Sequence, residues 1–111
     1  MEFLYQFQIY LPLKDKSGNV IHPNKLFAVR DQIVTKFGGL TMTSIFGNPV
    51  YEGYWKSDQT KEIVKDINSI FTVFAPRNQE SINFFLNQKQ KWQAELNYEE
   101  LLIVVNEVQA V

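Results

Sequence analysis

The order of hydrophobic patterns along this chain constrains its fold more than any other feature. Apolar and polar residues alternate near the N-terminus; a three-to-four-residue apolar spacing follows, then two β-prone stretches, a second helical stripe and a final β-prone run. This order predicts strand, helix, two strands, helix and strand. The chain has 111 residues, near the usual size of one domain, so we expect a single domain over residues 1–111.

The first two elements are the most clearly marked. Alternate positions of the first strand carry the apolar residues Phe3, Tyr5, Phe7, Ile9, Leu11 and Leu13. This is the period of a strand with one buried face. A helix is then predicted over residues 24–37, starting at Pro23 or Asn24, and Gly38-Gly39 stands where a left-handed C-cap is expected.

The next stretch is extended but interrupted. A second strand is predicted over residues 40–46, and Gly47-Asn48-Pro49 bends or breaks it before an extended continuation over residues 50–55. Gly53 within that continuation indicates a bulge or a close approach of another group.

A hairpin turn at residues 57–59 leads into the third strand, which we predict through about residue 74. A short helix over residues 60–68 is the alternative for its first part. Asn78 is placed to cap a second helix that closes at Asn97. Its apolar stripe comprises Ile82, Phe85, Leu86, Lys89 through its stem, Trp92 or Gln93, and Leu96.

Right-handed connections applied to this order predict an α+β, ferredoxin-like βαββαβ fold: a four-stranded antiparallel sheet with two helices on one face. The final strand, residues 101–105, is an unbroken apolar run, which indicates that both of its faces are at least partly covered. Leu4 and Tyr10 also fall on the face away from the helices. A second sheet packed there in a homodimer would bury these groups, whereas a sparsely apolar open face on a monomer is the alternative.

Composition excludes several classes of chemistry. The chain has no cysteine, which excludes disulfides, thiolate zinc sites, iron–sulfur clusters and a cysteine nucleophile. Eleven Lys and Arg against twelve Asp and Glu give a net charge of −1 and no electrostatic case for nucleic acid. No apolar run approaches ~18 residues and the first six residues lack a signal-peptide pattern, so we expect a cytoplasmic protein with no membrane partner.

Few residues point to catalysis or to a metal. His22 is the single histidine and the candidate catalytic base; a solvated loop histidine is the alternative. Without cysteine or further histidines, a metal site would need carboxylates converging from the hairpin, such as Glu52, Asp58, Glu62 and Asp66. We therefore expect neither a metal site nor a cofactor.

The hairpin is the better candidate for binding. Tyr51, Tyr54 and Trp55 place three large amphipathic rings on it, which is typical of a contact with a protein or ligand. The alternative is that these rings pack on a helix and cover the sheet edge. Arg77 stands just ahead of a helix start, where its charge does not favour the helix dipole, so it is a candidate to bind an anion. These four residues are the candidate site for a partner or a small apolar ligand.

The stretch from Phe37-Gly38-Gly39-Leu40-Thr41 through Gly53-Tyr54-Trp55 to Ile63-Val64-Lys65-Asp66 resembles small bacterial ferredoxin-like families of unknown function. The resemblance implies the fold and brings no established activity with it. It departs at residues 96–101, which lack the usual aromatic-glycine pair. By order of elements alone, the chain is also similar to dimeric α/β-barrel proteins, which include small monooxygenases, dehydratases and heme-degrading enzymes.

The sequence therefore predicts a homodimeric, non-catalytic binding or assembly module. The alternative is a cofactor-free enzyme that acts on a small molecule in an apolar pocket under the helices, with His22 or a tyrosine as acid or base. A large cavity lined by Tyr54, Trp55 and one titratable group with a perturbed pKa would favour the enzyme. A filled core with a wide apolar sheet contact would favour the module.

Overall fold

The structure is a computed structural model that describes residues 1–45 and 51–111. Its elements are β1 (Glu2–Pro12), α1 (Pro23–Phe37), β2 (Thr41–Met42), β3 (Tyr51–Lys56), β4 (Ile63–Pro76), α2 (Gln79–Glu95) and β5 (Leu102–Ala110). All strand pairs are antiparallel, which confirms the α+β class. The sheet has five strands and not the predicted four, because β2 ends at Met42 and β3 is a separate strand. The predicted break at Gly47-Asn48-Pro49 lies outside the described residues.

The long strand β4 organises the sheet. The strand order is β2-β4-β1-β5, and β3 also pairs with β4. Phe71 of β4 pairs with Ile9 of β1 on one side and with Met42 of β2 on the other, while Asn68 pairs with Pro12 and Tyr51 in the same way. Strands β2 and β3 therefore lie along the same edge of β4.

A two-stranded arm continues beyond the point where β1 ends. Residues 63–67 of β4 lie in this part and pair with β3, as does Asn68 at the end of β1, and the turn at Ser57 joins the two strands. We call residues 51–68 the hairpin arm. Strand pairing from Ile63 onward shows that the alternative of a short helix over residues 60–68 is wrong.

Alternation in β1 and β4 places one face of the sheet in the core, as the spacing of β1 predicts. Both helices contribute to the same core. The buried apolar side chains are Phe7, Ile9, Leu11, Ile21, Leu26, Val29, Ile33, Phe71, Val73, Ala75, Phe85, Trp92, Leu96 and Leu101. On this face the Phe7 ring stacks on Phe85 at 4.2 Å between centroids, so α2 lies directly against β1.

The helix ends follow the predicted capping residues. Gly38 has φ 93° and its N–H donates to the carbonyl of Val34, which is the left-handed C-cap. Asn78 accepts a hydrogen bond from the Ser81 backbone N–H at 3.0 Å and caps α2. Asn97 has φ 52° and follows the end of α2.

The apolar stripe of α2 differs from the prediction at one position. Leu86 is 59% exposed, so its assignment to the buried stripe is wrong. The neighbouring Phe84 packs toward α1 and meets Phe37 edge to face, with 5.2 Å between ring centroids. The helix is thus rotated to bury its aromatic side chains between the two helices, which leaves Leu86 outside.

The final strand is longer than predicted. It runs over Leu102–Ala110 and not over residues 101–105, because the polar residues beyond Val105 still pair with β1. The side chains of this strand are also more exposed within one chain than the apolar run indicates. Leu102 on one face is 55% exposed and Val105 on the other is 46% exposed.

Candidate interaction surface

The face of the sheet opposite the core is formed by alternate residues of β1, β4 and β5. The register aligns Gln8 of β1 with Thr72 of β4 and with Val104 of β5, which sets the centre of this face. The side chains that share it are Leu4, Gln6, Gln8, Tyr10, Ile70, Thr72, Phe74, Leu102, Val104, Asn106 and Val108. We call these residues the open face. None of these eleven side chains is Asp, Glu, Lys, Arg or His, and the charged Glu2 lies at the end of the same face, paired with Ala110.

Large apolar side chains on the open face contact solvent. Phe74 is 52% exposed, and Leu102 beside Tyr10 is exposed as well. Leu4, Tyr10 and Ile70 are half-buried by their neighbours. An exposed surface with these rings and branched chains and without charge is the kind of patch that marks a contact with another macromolecule.

The three aromatic residues predicted as one cluster lie on two faces of the hairpin arm. Tyr51 pairs with Asn68 and Trp55 pairs with Val64, whereas Tyr54 pairs with Lys65. Because residues alternate between faces along β4, Tyr51 and Trp55 share one side of the arm with Asp66, which Tyr98 reaches from the helix side of the sheet. Tyr54 points to the other side. The prediction of a single aromatic cluster is therefore wrong, although all three rings are exposed.

Tyr54 belongs to a polar cluster on its own side of the arm. Its hydroxyl donates to Oε2 of Glu52 at 2.9 Å, and Nζ of Lys65 lies 3.2 Å from the other oxygen of that carboxylate. The hydrogen bond from Tyr54 and the pairing with Lys65 lower the pKa of Glu52. The same carboxylate raises the pKa of both Tyr54 and Lys65. The cluster holds the Tyr54 ring against the arm.

Asp66 connects the arm to the body of the domain. Its Oδ2 accepts a hydrogen bond from the Trp55 indole Nε1–H at 2.7 Å and another from the Tyr98 hydroxyl at 2.7 Å. Trp55 comes from β3, Asp66 from β4 and Tyr98 from the segment between α2 and β5. A carboxylate that holds two donors at this distance makes strong hydrogen bonds, so it fixes the arm relative to the sheet.

The contact between Asp66 and Tyr98 was not predicted from the sequence. In the sequence Asp66 stands out only as a possible metal ligand, and its partner is 32 residues away. No local spacing signals such a pair. Burial, followed by the hydrogen bond to Asp66, raises the pKa of Tyr98 above the usual value.

We expect Tyr98 to make stability depend on pH in the alkaline range. Its pKa is higher in the folded state than in the unfolded chain, so its contribution is complete below the unfolded pKa of about 10 and is lost as the pH rises above it. The Tyr98→Phe variant should show a shallower fall in the free energy of unfolding above about pH 10 than the original chain. Urea unfolding at a series of pH values measures this. Equal slopes for the two proteins would contradict the assignment.

Gly53 lies where another side chain approaches the backbone. The pairing of β3 with β4 runs without interruption through Gly53 and Asp66, so there is no bulge at this position. A Cβ atom at Gly53 would lie 3.0 Å from Nδ2 of Asn68. Of the two alternatives that the sequence left open, the structure shows the close approach.

Arg77 has partners within its own chain. Its guanidinium lies over the Phe3 ring at 5.0 Å from the centroid, and its Nη1 is 3.8 Å from Oε2 of Glu107 on β5. The group is thus a cation–π neighbour of β1 and an exposed ion partner of β5. It is far along the sheet from the hairpin arm, so the predicted binding residues do not form one site.

His22 caps the start of α1. It is exposed, and its Nδ1 accepts a hydrogen bond from the backbone N–H of Asn24 at 3.1 Å.

Of the hairpin carboxylates, Glu52 and Asp66 lie on opposite faces of the arm. Over residues 1–45 and 51–111 no group of three or more His, Asp or Glu side chains is placed to hold a metal ion.

Two surface depressions are described, and neither is lined by Tyr54 or Trp55. One, of about 240 Å³, is lined by Lys14, Lys65, Asp66 and Ile67. The other, of about 650 Å³, lies between the two helices and is lined by Asp31, Gln32, Thr35, Lys36, Phe84, Gln88, Lys91 and Glu95.

In the described part of the chain, every buried side-chain nitrogen and oxygen has a hydrogen-bond partner. None of the described helices is long and apolar enough to cross a membrane.

Comparisons with protein-family models, with curated proteins and with solved structures gave no match. The function of this chain therefore has to be argued from its own surfaces.

Proposed function

We propose that this chain is a non-catalytic assembly module with a ferredoxin-like fold, which forms a homodimer through the open face of its sheet. The observation that carries the proposal is the open face itself, which is uncharged and exposes Phe74 and Leu102. The fold assignment is supported by the strand order. When β2 and β3 are counted as one interrupted edge strand, the order becomes that of a split βαβ sheet with four strands.

A second copy fits this face because the surface is compatible with itself. In a two-fold contact each residue meets the same set of residues from the partner, so any charge would lie near an identical charge. The open face has none. Its amide and hydroxyl groups, at Gln6, Gln8, Thr72 and Asn106, both donate and accept hydrogen bonds and so can pair with their own kind. Burial of the apolar side chains between two sheets about 10 Å apart supplies the favourable free energy.

The hairpin arm lies next to the proposed contact. Six residues of β4, 63–68, carry the arm about 20 Å along the strand direction at ~3.3 Å per residue. Tyr51 and Trp55 lie on one side of the arm, together with Asp66. Both rings are exposed beside the end of the main sheet, and Asp66 holds the arm in place. Aromatic side chains of this kind contribute strongly to interfaces.

We expect Gln8→Lys to disrupt the dimer. Gln8 lies on a central strand in the middle of the open face, so the substitution places two like charges in the contact, which costs several kcal/mol, or at least about a hundredfold in the dissociation constant. Sedimentation velocity over a range of protein concentrations measures this constant. The matched control is Gln90→Lys, the same change on an exposed position of α2.

Circular dichroism and thermal unfolding of both variants establish that each is folded. Equal self-association of the two variants would contradict the open face as the contact. An original chain that remains a single protomer at all concentrations would contradict the dimer itself.

A further inference from the structure

The outer edge of β5 has no partner strand within residues 1–45 and 51–111. In the strand order β2-β4-β1-β5 this strand lies at the end of the sheet and pairs with β1 on its inner side. Natural proteins keep such an edge from pairing by lysines, prolines or bulges. The nine residues Leu102–Ala110 contain neither lysine nor proline, and Glu107 is their one charged residue. The strand is thus an open template for another strand.

The sequence of β5 is compatible with antiparallel pairing to itself. We consider two copies of the strand related by a two-fold axis at Asn106. The facing pairs are then Leu102 with Ala110, Ile103 with Gln109, Val104 with Val108, Val105 with Glu107, and Asn106 with Asn106. In this register no charged residue lies directly opposite a like charge. The two Glu107 residues are diagonal neighbours, and each lies 3.8 Å from Nη1 of Arg77 in its own chain. Val105, which is 46% exposed, gains cover from the opposing strand.

We propose that β5 pairs edge to edge with β5 of a second copy, in the register centred on Asn106, so that two sheets join into one. This contact is separate from the open face and does not depend on it. If both contacts form and their two-fold axes meet at right angles, the assembly contains four protomers. If the open face makes no contact, the edge alone gives two.

Charge substitutions at Val105 test the register. Val105 is on the core side of the sheet, opposite Phe7, so changes there leave the open face unaltered. Val105→Glu places a glutamate opposite Glu107 of the partner at two symmetric positions, whereas Val105→Lys places a lysine there. We expect Val105→Glu to halve the mass measured by light scattering and Val105→Lys to retain it. Adding Glu107→Lys to Val105→Glu should restore the assembly. Equal masses for the Glu and Lys variants would overturn the proposal.

Cysteine pairs test the same register directly, because the chain contains no cysteine of its own. Ile103 and Gln109 face each other across the proposed contact, at a separation that a disulfide spans. Ile103 of one copy lies six positions along the strand from Ile103 of the other copy, which is about 20 Å, and the same holds for the two Gln109 residues. A mixture of Ile103→Cys and Gln109→Cys proteins should therefore form a disulfide between unlike chains under mild oxidation.

Each cysteine variant alone should form no such bond. The proposal is overturned if the mixture forms no disulfide. That result would mean either that the edge of β5 stays unpaired or that an extended segment of another protein pairs with it. It is also overturned if the single variants cross-link as readily as the mixture. The Gln8→Lys substitution separates the two contacts: in its presence the edge disulfide persists even though the open-face contact is lost.

Discussion

Replacing Trp92 with alanine is expected to lower the free energy of unfolding by about 3–5 kcal/mol, the cost of truncating a fully buried aromatic side chain. Trp92 is 0% exposed, and its ring lies 6.3 Å from both Phe84 and Phe85. Its indole Nε1–H donates to Oε1 of Gln32 on α1 at 2.9 Å. The substitution therefore leaves a cavity between the helices and removes the partner of a half-buried amide. Urea unfolding followed by circular dichroism, at one fixed protomer concentration, measures the change.

Leu86→Ala on the same helix is the matched control. Because Leu86 is 59% exposed, we expect a loss of less than about 1 kcal/mol. If Trp92→Ala does not fold, Trp92→Phe keeps most of the ring and loses the hydrogen bond, with an expected cost of about 1–2 kcal/mol. Similar losses for Trp92→Ala and Leu86→Ala would show that the helices are packed differently.

Two phenylalanines of β4 are expected to behave in opposite ways. Phe71 pairs with Ile9 and Met42 in the core and is fully buried, so Phe71→Ala should lower the free energy of unfolding by about 3–5 kcal/mol. Phe74 lies on the open face and is 52% exposed. Phe74→Ala should cost the isolated protomer less than about 1 kcal/mol and weaken the dimer about tenfold or more.

Unfolding measured at low protein concentration reports on the protomer, and sedimentation velocity reports on the dimer. The contrast between the two variants assigns one face of β4 to the core and the other to the contact. If Phe74→Ala leaves self-association unchanged while Phe71→Ala unfolds the chain as expected, the fold is right and the proposed contact is wrong.

Much of this architecture follows from local signals. The alternation in β1 identifies Phe7, Ile9 and Leu11 as buried, and the caps at Gly38 and Asn78 mark helix ends, because each of these depends on residues close in sequence. The β-prone run over residues 69–74 also indicates strand β4. Its alternative, a short helix, was compatible with the same apolar spacing and is excluded by pairing with β3.

Other features depend on contacts between distant segments. The apolar spacing of α2 does not distinguish Phe84 from Leu86, since the choice is made by the position of Phe37 on α1. The contact of Asp66 with Tyr98 joins residues that no motif connects. That Tyr54 and Trp55 lie on opposite faces of their strand, by contrast, can be predicted from the sequence. Adjacent residues of a strand point to opposite faces, and that rule alone separates them.

The most direct test of the open-face dimer is the mass of the Val105→Glu variant in solution, measured by light scattering at low micromolar concentration. This variant disables the edge contact of β5 and leaves the open face intact. One protomer has a mass of 13.0 kDa, and the open-face contact predicts twice that value. A mass of 13.0 kDa, from a variant shown to be folded, would contradict the proposal that the open face joins two copies of this chain.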